Sequence, residues 1–169
     1  MTVLETERLY LREITVMDAE QAFLLNSDVE VIKYTGDKSF ESIEEAKDFI
    51  EKYEHYKKYG FGRWAVILKT NHEFLGWCGL KYDAALNEYD IGFRFFKKHW
   101  NKGYATEAAK VCIQLGFEKF NMPIILGRVM KENLASQKVL EKLGLHYYKN
   151  GTCGGEESLI YKIEKPDFK

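Results

Sequence analysis

The chain has few of the residues that mark special protein classes. It contains only two prolines and three cysteines among 169 residues, and no apolar run approaches the length that crosses a membrane. Low proline content together with 46% hydrophobic residues excludes a disordered chain. Because Cys78, Cys112 and Cys153 are odd in number and far apart, the sequence predicts neither a disulfide framework nor a zinc site.

Charge and targeting signals are also scarce. The net charge is −1, so there is no overall basic field for nucleic acid, and any anion-binding site must be local. The first residues lack a basic segment followed by an apolar run, which a secretory signal requires. We therefore expect a cytoplasmic protein with neither a membrane nor a nucleic acid as partner.

The hydrophobic pattern predicts one α+β domain over residues 1–169. Strands are predicted at 4–14, 64–69, 74–82, 88–96, 124–129, 145–149 and 158–163, and helices at 15–26, 29–34, 42–59, 104–120 and 133–143. A capping box, Ser42 to Glu45, begins the third helix. Short turns join three consecutive middle strands, whereas a helix separates the next pair. The sheet is therefore expected to be mixed and mostly antiparallel, with helices against it.

A short basic loop at residues 98–103 is the most informative stretch. It joins a predicted strand directly to the first turn of a helix, it contains Lys98 and Lys102, and Lys97 precedes it. A helix N-terminus offers free backbone N–H groups and the positive end of the helix dipole, which suit a phosphate. Gly103 allows close approach of the backbone to a ligand. We interpret the loop as a pyrophosphate-binding cradle; a solvated charge run is the alternative.

Three blocks of the sequence resemble the GCN5-related N-acetyltransferase (GNAT) family. Residues 100–108, Trp-Asn-Lys-Gly-Tyr-Ala-Thr-Glu-Ala, are similar to its acyl-CoA-binding signature, especially in the branch that holds ribosomal-protein N-terminal acetyltransferases. Residues 133–144 and the opening block 5–12 match the same branch in the same order. The resemblance implies a GNAT-like fold, acetyl-CoA as cosubstrate, no metal, and direct acetyl transfer to an amine.

The resemblance also implies which residues bind acetyl-CoA. They are Phe93, Arg94, Phe95, Lys98, His99, Trp100, Asn101, Lys102, Gly103, Tyr104, Ala105, Thr106, Asn133 and Ser136. Two positions depart from the signature: Lys98 stands where arginine or glutamine is usual, and Asn101 where glycine is usual. Lysine keeps the charge without the bidentate fork, and asparagine tolerates left-handed backbone geometry. We expect the cradle to survive both changes, at some cost in CoA affinity.

Amine acetylation requires a base, a stabilised oxyanion and a proton for the departing thiolate. Asp90 matches the position where the family often has a glutamate, and Glu88 lies on the same strand face. The alternative for Asp90 is a solvated strand carboxylate. A backbone N–H near Phe93 is the family's expected oxyanion donor. Many members supply the acid from a tyrosine where this chain has Leu140, so Ser136 is the candidate donor. The alternative is that Ser136 only bonds its own helix.

Several alternatives remain open at this point. The acceptor is either a protein N-terminus or a small amine such as a polyamine, an amino acid or an antibiotic, and the protein is a monomer or a homodimer. A catalytically silent acyl-CoA sensor is a second hypothesis, supported by Leu140 alone. A phosphotransferase is disfavoured because no GxxxxGK[ST] pattern occurs.

Two further groups of residues carry weaker signals. Four aromatic residues either line an acceptor groove or belong to the core: Tyr34, Trp64, Trp77 and Tyr82. Four histidines show no metal-ligand spacing and are expected at the surface: His55, His72, His99 and His146. For His99, which lies in the basic loop, a contact with phosphate is the alternative.

Overall fold

A single eight-stranded sheet organises the molecule. The computed structural model describes residues 1–152 and 154–169 in full and residue 153 without its side chain, so the prediction for Cys153 lies outside the described side chains. The sheet order is β1-β2-β3-β4-β5-β6-β8-β7. The strands are β1 Thr2–Glu5, β2 Leu9–Arg12, β3 Arg63–Leu68, β4 Phe74–Asp83, β5 Glu88–Phe95, β6 Ile124–Met130, β7 His146–Cys153 and β8 Glu156–Glu164. Neighbouring strands run antiparallel except β5 and β6, which are parallel. The predicted mixed, mostly antiparallel α+β fold is confirmed.

Helices cover both faces of this sheet. They are α1 Ala19–Ser27, α2 Val29–Ile32, α3 Ile43–Glu51, α4 His55–Tyr59, α5 Tyr104–Glu118 and α6 Leu134–Lys142. The main hydrophobic core lies between α5 and the sheet, where Cys112, Ile113 and Phe117 pack against strand residues such as Leu80. A smaller cluster around Leu25 covers part of the opposite face. None of the described helices is long and apolar enough to cross a membrane.

Two predicted elements are interrupted in the structure, and the predicted strand at 145–149 extends to residue 153 as β7. The predicted strand at 4–14 is two antiparallel strands, because the chain turns at Thr6, whose N–H donates to Leu9 O at 2.9 Å. The predicted helix at 42–59 is α3 and α4, separated by residues 52–54. Just after α3, the Tyr53 hydroxyl accepts a hydrogen bond from the Arg63 N–H of β3 at 2.9 Å. Contacts with the sheet therefore override the continuous helical pattern.

The sheet opens between its two parallel strands. A single register pair, Asp90 with Leu126, joins β5 to β6, and the strands are not paired beyond it. β6 instead pairs along its whole length with β8, from Ile124–Glu164 to Met130–Ser158. Each strand keeps a partner on its outer side, so the separation leaves one backbone edge of each strand facing the gap.

The start of α3 shows how local sequence shapes this region. The Ser42 hydroxyl accepts a hydrogen bond from the Glu45 N–H at 3.1 Å, as the predicted capping box requires. The Glu45 carboxylate, however, accepts from the N–H of Glu41 and not from that of Ser42, so only half of the box forms. The cap fixes the first turn of the helix that carries Phe49 and Ile50.

We expect Ser42→Ala to lower the free energy of unfolding by about 1 kcal/mol, because the Glu45 N–H loses its acceptor. Ser27→Ala is the matched control. That exposed hydroxyl at the end of α1 donates only to the Phe23 carbonyl, and its loss should cost less than about 0.5 kcal/mol. Urea unfolding of both variants measures the difference, and equal losses would contradict the capping role.

Candidate functional site

A cavity of about 790 Å³ lies where β5 and β6 separate. Strands β3 to β6 contribute its floor, α6 one side, and the α2–α3 loop together with α3 and α4 the opposite side. Its aromatic lining consists of Tyr34, Phe40, Phe49, Tyr53, His55, Trp77 and Phe93. A cavity of this size with mixed apolar and polar walls suits a small-molecule ligand.

An arginine–aspartate pair lies in the floor of the cavity. The Arg63 guanidinium donates to Asp90 Oδ1 at 2.6 Å and to the Gly79 carbonyl at 2.6 Å, and its side chain is 23% exposed. Gly92 makes room for it, since a Cβ there would approach Arg63 Nη2 to 2.5 Å. The predicted base Asp90 therefore lines the cavity, with one carboxylate oxygen bound to a guanidinium.

Glu88 has a similar partner on the neighbouring strand. Its carboxylate accepts a hydrogen bond from the Arg128 guanidinium of β6. Glu88 and Asp90 lie on the same face of β5, as predicted. Arg128 lines the cavity whereas Glu88 does not. Glu88 therefore lies near the predicted site but outside the cavity lining, bound to Arg128.

Arg94 ties the α2–α3 loop to the sheet. Its guanidinium donates to Asp37 Oδ2 at 2.6 Å and to Asn26 Oδ1, and it lies 5.1 Å from the Trp77 ring centroid. This side chain is therefore held on the side of the cavity opposite α6. Because the Arg94 side chain already has these partners, only its backbone remains for the predicted contact with acetyl-CoA.

The basic loop has the geometry that its sequence predicts. Asn101 and Gly103 both have left-handed backbone conformations, with φ of 60° and 80°. Helix α5 begins at Tyr104, so the N–H groups of Gly103, Tyr104, Ala105 and Thr106 lack acceptors within the helix. These N–H groups and the positive end of the dipole of this 15-residue helix are therefore directed at the same region, just beyond the helix N-terminus.

The beginning of the chain holds this loop in position. Arg8 donates to Lys102 O at 2.9 Å and to Glu107 Oε2 at 2.7 Å, and it stacks 4.5 Å from the Tyr104 ring centroid. Thr6 Oγ1 donates to the same carboxylate at 2.6 Å. Burial raises the pKa of Glu107, but these hydrogen bonds outweigh it and lower the pKa, which keeps the carboxylate charged.

Other predicted loop residues have partners of their own. Trp100 Nε1 donates to Phe95 O at 2.9 Å and so anchors the loop. Lys98 Nζ lies 2.5 Å from Glu73 Oε1, and His99 Nε2 lies 3.3 Å from the same oxygen. His99 is only 7% exposed, so its expected surface position is wrong. Its burial lowers the pKa of His99. Lys97 and Lys102 form no ion pair with the described residues.

The N-terminus of α6 faces the cavity from the other side of the gap. Asn133 caps the helix, its Oδ1 accepting from the Ser136 N–H at 3.2 Å, and both residues line the cavity. Within the described part of the chain, Ser136 Oγ makes no bond to the helix backbone. Leu140 is buried and packs on Gly127, where a Cβ would approach Leu140 Cδ2 to 2.7 Å.

Sequence reasoning missed several residues of the cavity. Arg63, Lys81 and Arg128 are charged residues of strands, which sequence patterns alone do not distinguish from solvated positions. Tyr53 and His55 lie near the break between α3 and α4. Burial raises the pKa of Tyr53, and burial followed by the charge of Arg63 lowers the pKa of His55. His55 Nε2 also accepts from the Tyr82 N–H at 3.0 Å.

Of the four aromatic residues that the sequence suggested for an acceptor groove, two line the cavity and two do not. Tyr34 and Trp77 line the cavity. Trp64 is 1% exposed in the main core, and Tyr82 packs on Tyr89 with ring centroids 4.9 Å apart.

Comparisons with known proteins agree with this geometry. The family model described as "Acetyltransferase (GNAT) domain" matches residues 8–146. The chain is 33% identical to the uncharacterised N-acetyltransferase YoaA of Bacillus subtilis, over 97% of each chain. A GNAT-family acetyltransferase structure from Bacillus anthracis has a TM-score of 0.82 at 29% identity, covering 98% of this chain and 99% of that one.

A structure from the predicted branch has the same fold. The ribosomal-protein-S5-alanine acetyltransferase of Vibrio fischeri superimposes with a TM-score of 0.81 over 100% of this chain and 99% of its own, at 20% identity. That identity supports a shared fold and leaves the acceptor open. The family match and the relatives confirm the resemblance of the sequence blocks, and the chain belongs to the GNAT family of N-acetyltransferases.

Proposed function

We propose that this protein transfers the acetyl group of acetyl-CoA directly to a primary amine while both are bound. The observation that carries the proposal is the gap between β5 and β6. The gap opens into a cavity that the N-terminus of α6 and the aromatic residues of α3 and the α2–α3 loop line, and α5 begins just after the end of β5 that borders the gap. Two substrates can therefore approach the same edge of β5 from opposite sides.

The backbone supplies the proposed contacts to acetyl-CoA. The N–H groups of residues 103–106 bind the pyrophosphate, because helix N-termini favour anions. The pantetheine amides pair with the free edge of β5 at residues 93–95, facing Asn133 and Ser136 of α6. The side chains of Lys98 and Arg94, already bound to Glu73 and Asp37, contribute less than the sequence signature implies.

In the proposed reaction the amine nitrogen attacks the acetyl carbonyl carbon, and the carbon–sulfur bond then breaks. A backbone N–H near Phe93 stabilises the oxyanion. The amine gives up one proton through a water to Asp90. The departing CoA thiolate takes a proton from Ser136, which regains one from solvent as Asp90 releases its own, so that both side chains return to their starting states. The products are an N-acetylated amine and free CoA.

A CoA-release assay with a thiol reagent tests this function. N-terminal peptides, polyamines, amino acids and aminoglycosides serve as acceptors, and calorimetry reports acetyl-CoA binding in parallel.

Arg8→Ala removes the side-chain bonds that join the basic loop to Glu107 and should weaken acetyl-CoA binding about tenfold, equivalent to about 1.4 kcal/mol. Arg12→Ala, which removes the arginine at the other end of β2 that pairs with Asp18, should leave that affinity unchanged.

Two results would contradict the proposal. Absence of acetyl-CoA binding by the unmodified protein would overturn the cradle. Binding of acetyl-CoA without CoA release across the whole panel would favour the sensor hypothesis. That hypothesis is based on Leu140, a buried residue that has no proton to donate where many members of the family have a tyrosine.

Asp90 has a structural and a proposed catalytic role, which two variants separate. Asp90→Asn leaves the Arg63 charge without its partner, so we expect a loss of about 3 kcal/mol in unfolding free energy as well as low turnover. In the double variant Arg63→Met/Asp90→Asn, much of the stability should return because the unpaired charge is gone, whereas turnover should stay low. Urea unfolding and saturating kinetics measure both, and full turnover in either variant would exclude Asp90 as the base.

Ser136→Ala should lower kcat about 100-fold, the lower range of a general-acid effect. The KM for acetyl-CoA should change little, because the Asn133 cap on the Ser136 N–H remains. Ser136→Thr keeps the hydroxyl and should restore much of kcat. Wild-type kinetics in Ser136→Ala would remove the hydroxyl from the mechanism.

A further inference from the structure

The charges around the cavity are unbalanced. Five cationic side chains line it, Lys38, Arg63, Lys81, Arg94 and Arg128, against two carboxylates in the lining, Asp37 and Asp90, and the Glu88 carboxylate that binds Arg128 from outside it. Each of these carboxylates already binds an arginine, Asp37 at 2.6 Å from Arg94 and Asp90 at 2.6 Å from Arg63. The lining therefore offers no carboxylate without a cationic partner.

Lys81 is the cation placed next to the proposed reaction centre. It pairs in register with Asp90 across β4 and β5, so both side chains lie on the same face of the sheet. No carboxylate of the described residues forms an ion pair with its ammonium. After burial and Arg63, its charge is the next cause that lowers the pKa of His55, which is consistent with an ammonium on the cavity side of the strand.

These charges bear on the acceptor. A polyamine binds through carboxylates that neutralise its ammonium groups, and here it would meet a net positive wall. An anionic group on the acceptor would instead gain a charge-assisted bond to Lys81. The same positive field favours the neutral form of a nearby amine, which is the form that attacks an acetyl group.

The aromatic wall indicates the body of the acceptor. Phe40 and Phe49 lie with ring centroids 5.6 Å apart, and Phe49 and Tyr53 6.2 Å apart. Phe49 is 54% exposed, which leaves apolar surface at this side of the cavity for a ligand to cover. The Arg94–Asp37 pair holds the α2–α3 loop over the same compartment.

From these observations we infer that the acceptor is a small amine with an apolar body and its own anionic group, which Lys81 binds. The inference rests on the proposed acetyl transfer and specifies its acceptor. It favours the small-amine alternative and, within it, acceptors that carry a carboxylate or a comparable anion.

Matched amines test the inference. Benzylamine and para-aminomethylbenzoate share a benzylic amine and differ by one carboxylate, and spermidine is the polycationic comparison. We expect kcat/KM for para-aminomethylbenzoate to exceed that for benzylamine at least about tenfold, the scale of one charge-assisted contact of about 1.4 kcal/mol. Lys81→Met should bring this ratio close to one. Lys110→Met, an exposed lysine of α5 outside the cavity, should leave it unchanged.

The outcomes separate this inference from the proposed function. Release of CoA with a preference for spermidine, or an unchanged ratio in Lys81→Met, overturns the acceptor assignment and leaves acetyl transfer intact. Failure of every amine to release CoA from a protein that binds acetyl-CoA overturns the proposed function and the assignment with it. Calorimetry of para-aminomethylbenzoate in the presence of CoA gives a readout independent of turnover, and equal affinity in Lys81→Met would also contradict the inference.

Discussion

The separation of β5 from β6 is the constraint on which the site depends. Both strands satisfy their outer backbone edges, β5 with β4 and β6 with β8, and they share only the Asp90–Leu126 register pair. Beyond that pair, each strand presents unpaired backbone groups to the gap, and such groups need partners. Because the two strands are parallel, a crossover containing α5 must connect them, which puts the N-terminus of that helix beside the opening. In the proposed complex, the amide groups of the pantetheine arm occupy this gap and pair with the free backbone edge of β5.

Arginine side chains decide the electrostatics of the opening. Three carboxylates at or near the cavity, Asp37, Glu88 and Asp90, each bind an arginine from another element or strand. Leaving one partner of such a partly buried pair alone is costly, so the pairs constrain the loop and strands as well as the charge. The remaining positive charge then comes from lysines, whose flexible stems can follow a ligand.

Local patterns made much of this structure predictable, and long-range contacts account for the rest. The basic loop, the asparagine tolerance at Asn101 and the cap at Ser42 depend on neighbouring residues, and the structure shows all three. The pairs Arg63–Asp90 and Arg8–Glu107 join residues 27 and 99 positions apart, and no periodicity marks them. The same kind of contact divides the predicted helix at 42–59, because Tyr53 binds the backbone of β3.

The position of Leu140 shows how the proposed proton donor fits the packing. Leu140 fills the space that Gly127 leaves and is 1% exposed, so it serves the core. Ser136 lies one helical turn earlier on the same face, nearer the N-terminus of α6. In the proposed reaction a thiolate forms beside that terminus, and a helix dipole stabilises negative charge there. A thiolate stabilised in this way leaves more easily, so the Ser136 hydroxyl can assist its departure by donating a hydrogen bond although serine is a weaker acid than tyrosine.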